Sequence, residues 1–246
     1  MQRDENGIPI IDANGVEDLA ERFLKKVAPA VLDAPTFTPV GQIADQLQEE
    51  GFVRFVFNAD LGQSPEGYKY LGCFDILKKV ILIAVPFNDV HFPFTVCHEL
   101  GHFYLHSSLR FGAVGIAETD SRIRDSSRDI VIHRVVQNRP RTIIEWQANR
   151  FAAAILIPRA TVTQAVSEAQ EEMGINRNRG VVILDELQPF SRRDAAVVVN
   201  KLHQFYQCSR SVVRFRLEEL GIMQARVKKE NRPQHIGEII REMLSR

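Results

Sequence analysis

The chain has 246 residues, 45% hydrophobic and 25% charged, which is ordinary for a globular protein with a packed core. Lysine plus arginine equals aspartate plus glutamate at 31 each, so total charge excludes a strongly polyanionic or polycationic chain. The amino terminus has no apolar segment of signal-peptide length, no run of about 18 apolar residues occurs, and three widely spaced cysteines do not suggest a disulfide framework. We therefore expect a cytoplasmic protein with no membrane span.

The first elements are two helices. Apolar residues at helical spacing predict a helix over residues 15–28, which Pro29 ends. A second helix is predicted to begin at Thr38 as N-cap, with Pro39 at the first helical position, and to end at Gly51. Strand patterns then follow over residues 52–57, 70–76 and 80–85, and the last two read as a hairpin.

Residues 95–106 read TVCHELGHFYLH and contain the pattern HExxH. His98 and His102 are four residues apart, so they lie on the same face of a helix, with Glu99 beside them. In such a motif two neutral imidazoles bind zinc, and the carboxylate takes the proton of a water molecule. Cys97 points about 100° away from His98 and is interpreted as a packing residue.

A catalytic zinc site normally has three protein ligands, so a third must be sought. His106 is a poor choice, because it lies about 12 Å along the helix axis from His98. Residues 118–141 are dense in both charges and predict an exposed excursion, in which nothing fixes the position of a ligand. The candidates in that segment are Asp120, Asp125, Asp129 and His133.

Glu145 is the stronger candidate for the third ligand. It lies near the start of a helix predicted over residues 143–158, which is rigid enough to hold a carboxylate against the HExxH helix and rich in alanine that permits close packing. Asn149 lies on the same face, where it could orient Glu145 or accept the free N–H of a metal-binding histidine. The alternative is an ordinary partly exposed glutamate and a surface asparagine.

The segments HELGHFYLH and EWQANRFAAAILIP together resemble the ImmA/IrrE family of zinc metallopeptidases, whose members carry HELxH and ExxANxFAAxLLMP. The resemblance extends from about Pro39 to Pro158. It implies that His98, His102 and Glu145 bind Zn²⁺, that Glu99 is the general base, and that the substrate is a helix-turn-helix repressor. The chain departs from the family at Gln147, where many members have a second acid, and in the long charged segment between the motifs.

Beyond this region a helix is predicted over residues 161–173, and the loop at 174–180 marks a domain boundary. The expected fold is α+β, with a small antiparallel sheet packed on helices that bear a zincin-like HExxH site. The expected units are a helical extension (1–35), a metallopeptidase domain (36–175) and a helix-turn-helix-like region with a basic tail (176–246).

The carboxy-terminal region is basic, with 12 Lys and Arg against 6 Asp and Glu in residues 191–246. Residues 191–223 predict two helices with a turn at Gln207 and Cys208, the second capped by Ser209 and ended by Gly221. A short helix is expected near the chain end. This pattern is typical of a helix-turn-helix, with arginines on the second helix available to nucleic acid. These arginines are Arg210, Arg214 and Arg216.

Two functions follow from the sequence. The first is a zinc endopeptidase that cleaves a specific repressor and so derepresses phage, mobile-element or stress-response genes. The second is a DNA-binding or protein-binding regulator, or the toxin of a toxin–antitoxin pair, in which the metal site is not proteolytic. For the peptidase, an oxyanion-stabilising residue is also needed. The sequence does not choose among Tyr104, His91 and His133.

Overall fold

The computed structural model describes residues 1–110, 121–126, 140–185 and 190–226. Within these ranges the fold is mixed α+β, as predicted, with eight helices and six strands. The helices are α1 (Ala13–Val27), α2 (Ala30–Asp33), α3 (Val40–Glu49), α4 (Phe92–His106), α5 (Pro140–Leu156), α6 (Arg159–Glu172), α7 (Ser191–Phe205) and α8 (Arg210–Glu219). The strands are β1 (Arg54–Phe57), β2 (Tyr70–Asp75), β3 (Val80–Ile83), β4 (Arg122–Ser126), β5 (Val182–Asp185) and β6 (Met223–Arg226).

The main sheet has four strands in the order β1-β3-β2-β4. Strands β2 and β3 form the predicted antiparallel hairpin, and β4 pairs antiparallel to the other side of β2. Strand β3 lies between β1 and β2, and β1 pairs with it in parallel. The sheet is therefore mixed, and the prediction of an antiparallel sheet is wrong for β1.

Two helix starts differ from the sequence prediction. Helix α1 begins two residues earlier than expected, because the Asp12 carboxylate caps it by accepting from the Gly15 N–H. Thr38 does not cap α3: its hydroxyl donates to the Ile155 carbonyl at 2.7 Å, and Pro39 takes the N-cap position. The hydroxyl therefore joins the start of α3 to α5 instead of satisfying its own helix. Gly51 follows the end of α3 with φ 73°, a left-handed conformation that favours glycine.

The charged segment predicted to be exposed contains a buried strand. In β4, Ile123 and Asp125 are both fully buried, so the prediction of an exposed excursion is wrong here. Residues 111–120 and 127–139 lie outside the described part of the chain. Helix α5 begins at Pro140, three residues before the predicted start, which agrees with the preference of proline for a first helical turn.

Helices α4 and α5 cross at very short distance. A methyl group added at Gly101 of α4 would lie 3.0 Å from the Ala148 Cα and 3.2 Å from the Ala148 carbonyl oxygen of α5. Because Ala148 is itself small and fully buried, the two backbones can approach closely, as the alanine-rich sequence of α5 predicted. This crossing brings the histidine-bearing face of α4 opposite the amino-terminal half of α5.

The carboxy-terminal helices pack on the rest of the chain. Helix α7 packs on α6, and the predicted Ser209 cap of α8 is confirmed, because its side chain accepts from the Val212 N–H. The short parallel pair β5 and β6 was not predicted. The predicted terminal helix falls in residues 227–246, outside the described residues.

Arg216 of α8 is fully buried, and its guanidinium donates to both carboxylate oxygens of Glu17 in α1 and to the Ile157 carbonyl. Buried arginine of this kind is held by its ion pairs and hydrogen bonds. Arg216 therefore joins α8 to α1 and cannot reach a nucleic acid, so its prediction as a nucleic-acid contact is wrong.

The helix crossing gives a stability test. Because the Ala148 backbone stands in the way of a side chain at Gly101, we expect Gly101→Ala to lower the free energy of unfolding by about 1–3 kcal/mol. The matched control is Gly41→Ala in α3, where the nearest atom to an added methyl group, a Phe87 ring carbon, is 3.8 Å away. That variant should keep or raise the free energy of unfolding by up to about 1 kcal/mol. Equal stability of the two variants in urea denaturation would contradict the close crossing.

Candidate metal centre

Helix α4 places three functional side chains in the interior. His98, Glu99 and His102 are all fully buried, and the two histidine Nε2 atoms are 3.0 Å apart. A helical spacing of four residues produces this arrangement, since it returns the side chain to the same face one turn later. The predicted pair of imidazoles thus points to a common centre.

Two carboxylates complete the cluster from other elements. Glu145 Oε2 of α5 lies 3.3 Å from His98 Nε2 and 3.6 Å from His102 Nε2. Asp125 Oδ2 of β4 lies 3.5 Å and 3.3 Å from the same two nitrogens. One ligand atom from each of the four residues lies within 4.8 Å of all the others, and all four residues are buried. The cluster therefore has four possible metal ligands, one more than was predicted.

The tautomer of His98 follows from its outer hydrogen bond. Its Nδ1 lies 2.9 Å from Asn149 Oδ1, and since an amide oxygen only accepts, the ring nitrogen donates. In the neutral imidazole, Nε2 then carries a lone pair that faces the cluster. Asn149 thus has the geometry of the supporting role predicted for it, with the histidine as its partner.

His102 is oriented through a longer chain of hydrogen bonds. His106 Nε2 donates to Gln147 Oε1 at 2.8 Å, and the Gln147 amide donates to the Pro9 carbonyl at 2.8 Å. Burial and the neighbouring His102 hold the pKa of His106 well below its ordinary value, so His106 is neutral and its Nδ1 accepts. His102 Nδ1, 2.9 Å away, therefore donates, and its Nε2 also presents a lone pair to the cluster.

This chain also accounts for two residues that the sequence left without a role. His106 supports His102 and is separated from the cluster by the His102 ring, which agrees with its rejection as a ligand. Gln147, the departure from the resembled family, accepts from His106 and is itself anchored to the amino-terminal segment at Pro9.

Arg141, at the start of α5, holds both carboxylates. Its Nε lies 2.8 Å from Glu145 Oε1, and its Nη2 donates to Asp125 Oδ1 at 2.6 Å. Burial raises the pKa of each carboxyl, but for Glu145 the Arg141 charge outweighs this effect, and for Asp125 the neighbouring His102 and the Arg141 charge do so. Both pKa values therefore lie below their ordinary range, and both groups are anions that turn their remaining oxygen towards the histidines.

The four ligand atoms suit a divalent cation. Two imidazole lone pairs and two carboxylate oxygens face one another, an arrangement that only a proton or a cation between them stabilises. Burial lowers the pKa of His98, yet Asp125 and Glu145 raise it well above its ordinary value, so the centre favours positive charge. Tetrahedral zinc with ligands at 2.0–2.1 Å requires ligand atoms about 3.3 Å apart, and the five separations given above span 3.0–3.6 Å.

Glu99 lies beside this cluster but is held differently. Neither of its carboxylate oxygens has a hydrogen bond of ordinary geometry within the described residues, but Asp125 lies near enough to interact with the Glu99 carboxyl. Burial, and next to it the charge of Asp125, raise the pKa of Glu99 well above its ordinary value. The side chain lies against Gly72 of β2, where an added methyl group would be 2.1 Å from Glu99 Oε1. A carboxyl group next to the ligand cluster is placed to exchange a proton with a water molecule there.

The sequence did not single out two residues of the site: Asp125 was only one of several candidate ligands, and Gly72 was not considered. Asp125 was a candidate, but its position depends on β4 pairing with β2, which the charged sequence around it obscured. Gly72 left a weaker signal, because a glycine inside a strand often marks the close approach of another group. Asp120, Asp129 and His133 lie outside the described residues.

Two of the three candidate oxyanion residues, Tyr104 and His91, are not in the cluster. The Tyr104 ring stacks on Phe151 and meets Phe23 edge-on, and His91 is exposed and paired with Asp89 at 2.7 Å. His133, the third candidate, lies outside the described part of the chain.

A buried cluster of two histidines and two carboxylates, with a further buried glutamate on the helix that carries the histidines, is typical of metal-dependent hydrolases. Within that class, the sequence matches the model of the IrrE N-terminal-like domain, a family of M78 peptidases, over residues 56–218. The match covers about two thirds of the chain, so the chain belongs to this metallopeptidase family, and the predicted resemblance is confirmed. No curated protein matches the sequence significantly.

Over the ranges described, no helix combines the length and the apolar character needed to cross a bilayer.

The outer hydrogen bonds predict metal affinity. Asn149→Ala removes the acceptor that orients His98, and loss of such a partner typically weakens metal binding about 10–100-fold. Competition with a chromophoric chelator measures this affinity directly. The control is His91→Ala, an exposed histidine paired only with Asp89, which should leave the affinity unchanged. Equal zinc affinities of the Asn149→Ala variant and the wild type would show that the hydrogen bond from His98 to Asn149 does not support metal binding.

Proposed function

We propose that the chain is a zinc-dependent endopeptidase with His98, His102 and Glu145 as metal ligands and Glu99 as general base. The observation that carries the proposal is the position of Glu99, fully buried beside the ligand cluster on the helix that bears both histidines. A structural metal site needs no such residue, because its ligands alone complete the coordination. Family membership independently supports peptidase chemistry.

The donor set supports zinc over other divalent cations. Imidazole nitrogens and a small number of carboxylate oxygens in tetrahedral arrangement are typical of zinc, whereas magnesium and calcium take six or more oxygen ligands. When bound, zinc supplies a Lewis acid that polarises the peptide carbonyl and makes a water molecule more acidic.

The protein residues divide the remaining work. Glu99 accepts the proton of the attacking water and later delivers it to the leaving amine, since its carboxyl group lies beside the ligand cluster. Asn149 and His106 hold the two ligand histidines in one tautomer. Arg141 keeps Glu145 ionised and turned towards them. Rigid placement of this kind lowers the reorganisation that the reaction requires.

For the substrate, we propose a helix-turn-helix transcriptional repressor, whose cleavage would derepress phage, mobile-element or stress-response genes. The family resemblance supports this class of substrate. We further propose that the protein acts in the cytoplasm, which its three buried free cysteines fit. The unit boundaries near residues 35 and 175 also remain proposals.

A second candidate function is a DNA-binding or protein-binding regulator, or a toxin, in which the metal site is not proteolytic. The observation that favours it is the exposure of Arg210 and Arg214 on α8, although Arg210 also donates to Asn200 of α7. If these arginines contact DNA phosphates, the affinity for DNA should depend strongly on salt concentration. A regulator of this kind would retain its activity when Glu99 is neutralised.

The first test of the peptidase replaces Glu99 by glutamine. Because the amide cannot accept the water's proton, we expect Glu99→Gln to keep its zinc and lose about 10²–10⁴-fold of the cleavage rate. The rate is measured on a purified candidate repressor by gel electrophoresis and mass spectrometry. Glu49→Gln, which neutralises an exposed glutamate of α3, serves as the control and should cleave at the wild-type rate. Full activity of Glu99→Gln would exclude the assigned role.

The second test uses the contact between β2 and the general base. Gly72→Ala would place a methyl group 2.1 Å from Glu99 Oε1, and the flexible carboxylate must move away. We expect zinc content close to the wild type and a free energy of unfolding lowered by about 1–3 kcal/mol, because the buried Glu99 side chain must repack. The cleavage rate should fall by about 10²-fold, as misplacement of a catalytic group by about 1 Å produces. An unchanged rate in the variant would mean that the position of Glu99 against β2 is not needed for catalysis.

A further inference from the structure

The centre offers four possible protein ligands, as many as a tetrahedral metal ion takes. Catalytic zinc sites have three protein ligands and an open position, whereas four protein ligands are typical of closed sites. Here Asp125 supplies a fourth oxygen at 3.3 Å and 3.5 Å from the two histidine nitrogens, the same range as Glu145. If zinc is held by His98, His102 and Glu145, the Asp125 carboxylate lies where the open position has to be.

The strand that carries Asp125 is positioned for this role. Strand β4 lies at the edge of the sheet, antiparallel to β2, with Asp125 opposite Gly72. The pairing shifts register between Tyr70 and Gly72, which inserts an extra residue, Leu71, in β2 beside Asp125. Irregularities of this kind bend a strand and change the direction of its side chains. Gly72 in turn contacts Glu99. Strand β4 therefore lies close to both the proposed general base and the ligand cluster.

Strand β4 also occupies the place that an extended peptide would need. Strand β2 is paired with β3 on one side and with β4 on the other. Peptides commonly bind proteins by adding a strand to a free sheet edge, and β4 takes up this edge of β2 beside Glu99. A backbone segment that pairs with β2 and directs a carboxylate to the metal ligands has the geometry of a bound substrate analogue.

The anchoring of Asp125 is strong. It is fully buried, and its second oxygen accepts from Arg141 at 2.6 Å, the arginine that also holds Glu145. The strand is further tied to β2 at its start, where Ser121 donates to the Asp75 carboxylate at 2.7 Å and Ile76 donates to the Ser121 carbonyl at 2.9 Å. These contacts hold Asp125 at the cluster without any ligand from outside the chain.

We propose that Asp125 is a fourth metal ligand and that β4 is an internal substrate analogue, so that the folded chain is a latent peptidase whose substrate must displace Asp125. The proposal rests on the peptidase function proposed above and adds a regulatory state of the same site. Its consequence is a closed coordination sphere in the wild type, which opens when the Asp125 carboxylate is removed.

The test measures access to the metal, independently of cleavage. The protein is loaded with Co²⁺, which reports its coordination by visible absorption, and titrated with acetohydroxamate, a small bidentate metal ligand. We expect the wild type to bind acetohydroxamate at least about tenfold more weakly than Asp125→Ala, as an open fraction near 10% would produce. Asp125→Asn, which keeps the size of the side chain and removes its charge, should also bind more tightly and covers the case in which Asp125→Ala fails to fold.

A control variant distinguishes the loss of the Asp125 carboxylate from a general disturbance of β4. Arg122→Ala changes the same strand at an exposed side chain near Asp75 and leaves Asp125 in place, so it should behave as the wild type. Equal acetohydroxamate affinities of the wild type and both Asp125 variants would overturn the proposal, and so would tight binding by Arg122→Ala equal to that of the Asp125 variants.

The outcomes also distinguish this proposal from the function on which it rests. If the cobalt-loaded wild type binds acetohydroxamate as tightly as the Asp125 variants, the latent state is wrong, but the proposed peptidase function is unaffected. If the wild type binds no metal, both proposals fail. Where a cleavable repressor is known, Asp125→Asn should cleave it faster than the wild type, and adding Glu99→Gln to that variant should abolish the gain. A slower rate in folded, metal-loaded Asp125→Asn would contradict the latent state.

Discussion

The close crossing of α4 and α5 is the constraint on which the centre depends. Gly101 and Ala148 allow the two backbones to meet. On α4, His98 lies about one turn before Gly101 and His102 directly follows it, and on α5 Glu145 lies about one turn before Ala148. Metal ligands must be placed within about 0.5 Å, which two helices in contact achieve better than loops. A larger residue at the crossing would separate the histidines from the glutamate, even though it touches none of them.

The interior then faces an electrostatic problem that a cation solves. Asp125 and Glu145 are anions, the imidazoles present lone pairs, and Arg141 compensates only one negative charge. A buried excess of negative charge is costly unless it is paired. The outer hydrogen bonds from Asn149, His106 and Gln147 fix the side chains in the orientation that exposes these lone pairs. The cluster therefore fits metal binding better than a salt bridge between protein groups.

Local patterns predicted much of this centre. The arrangement of His98 with His102, and of Glu145 with Asn149, depends only on a four-residue spacing within one helix. The sequence shows such a spacing directly. Asp125 could not be chosen, because its position depends on β4 pairing with β2, a contact between residues about 50 apart in the chain. Arg216 was misjudged for a related reason: the helix it lies on was predicted, but its partner Glu17 is 199 residues away. The parallel pairing of β1 with β3 is likewise a contact between strands that are not consecutive in the chain, so local patterns do not predict it.

The most direct measurement of the central claim is a crystal structure of the zinc-loaded protein with anomalous diffraction data collected on both sides of the zinc absorption edge. The account predicts one strong anomalous peak, about 2.0–2.2 Å from His98 Nε2, His102 Nε2 and a Glu145 oxygen. No peak among these side chains in a crystal grown with zinc, or a peak bound elsewhere on the chain, would contradict the account.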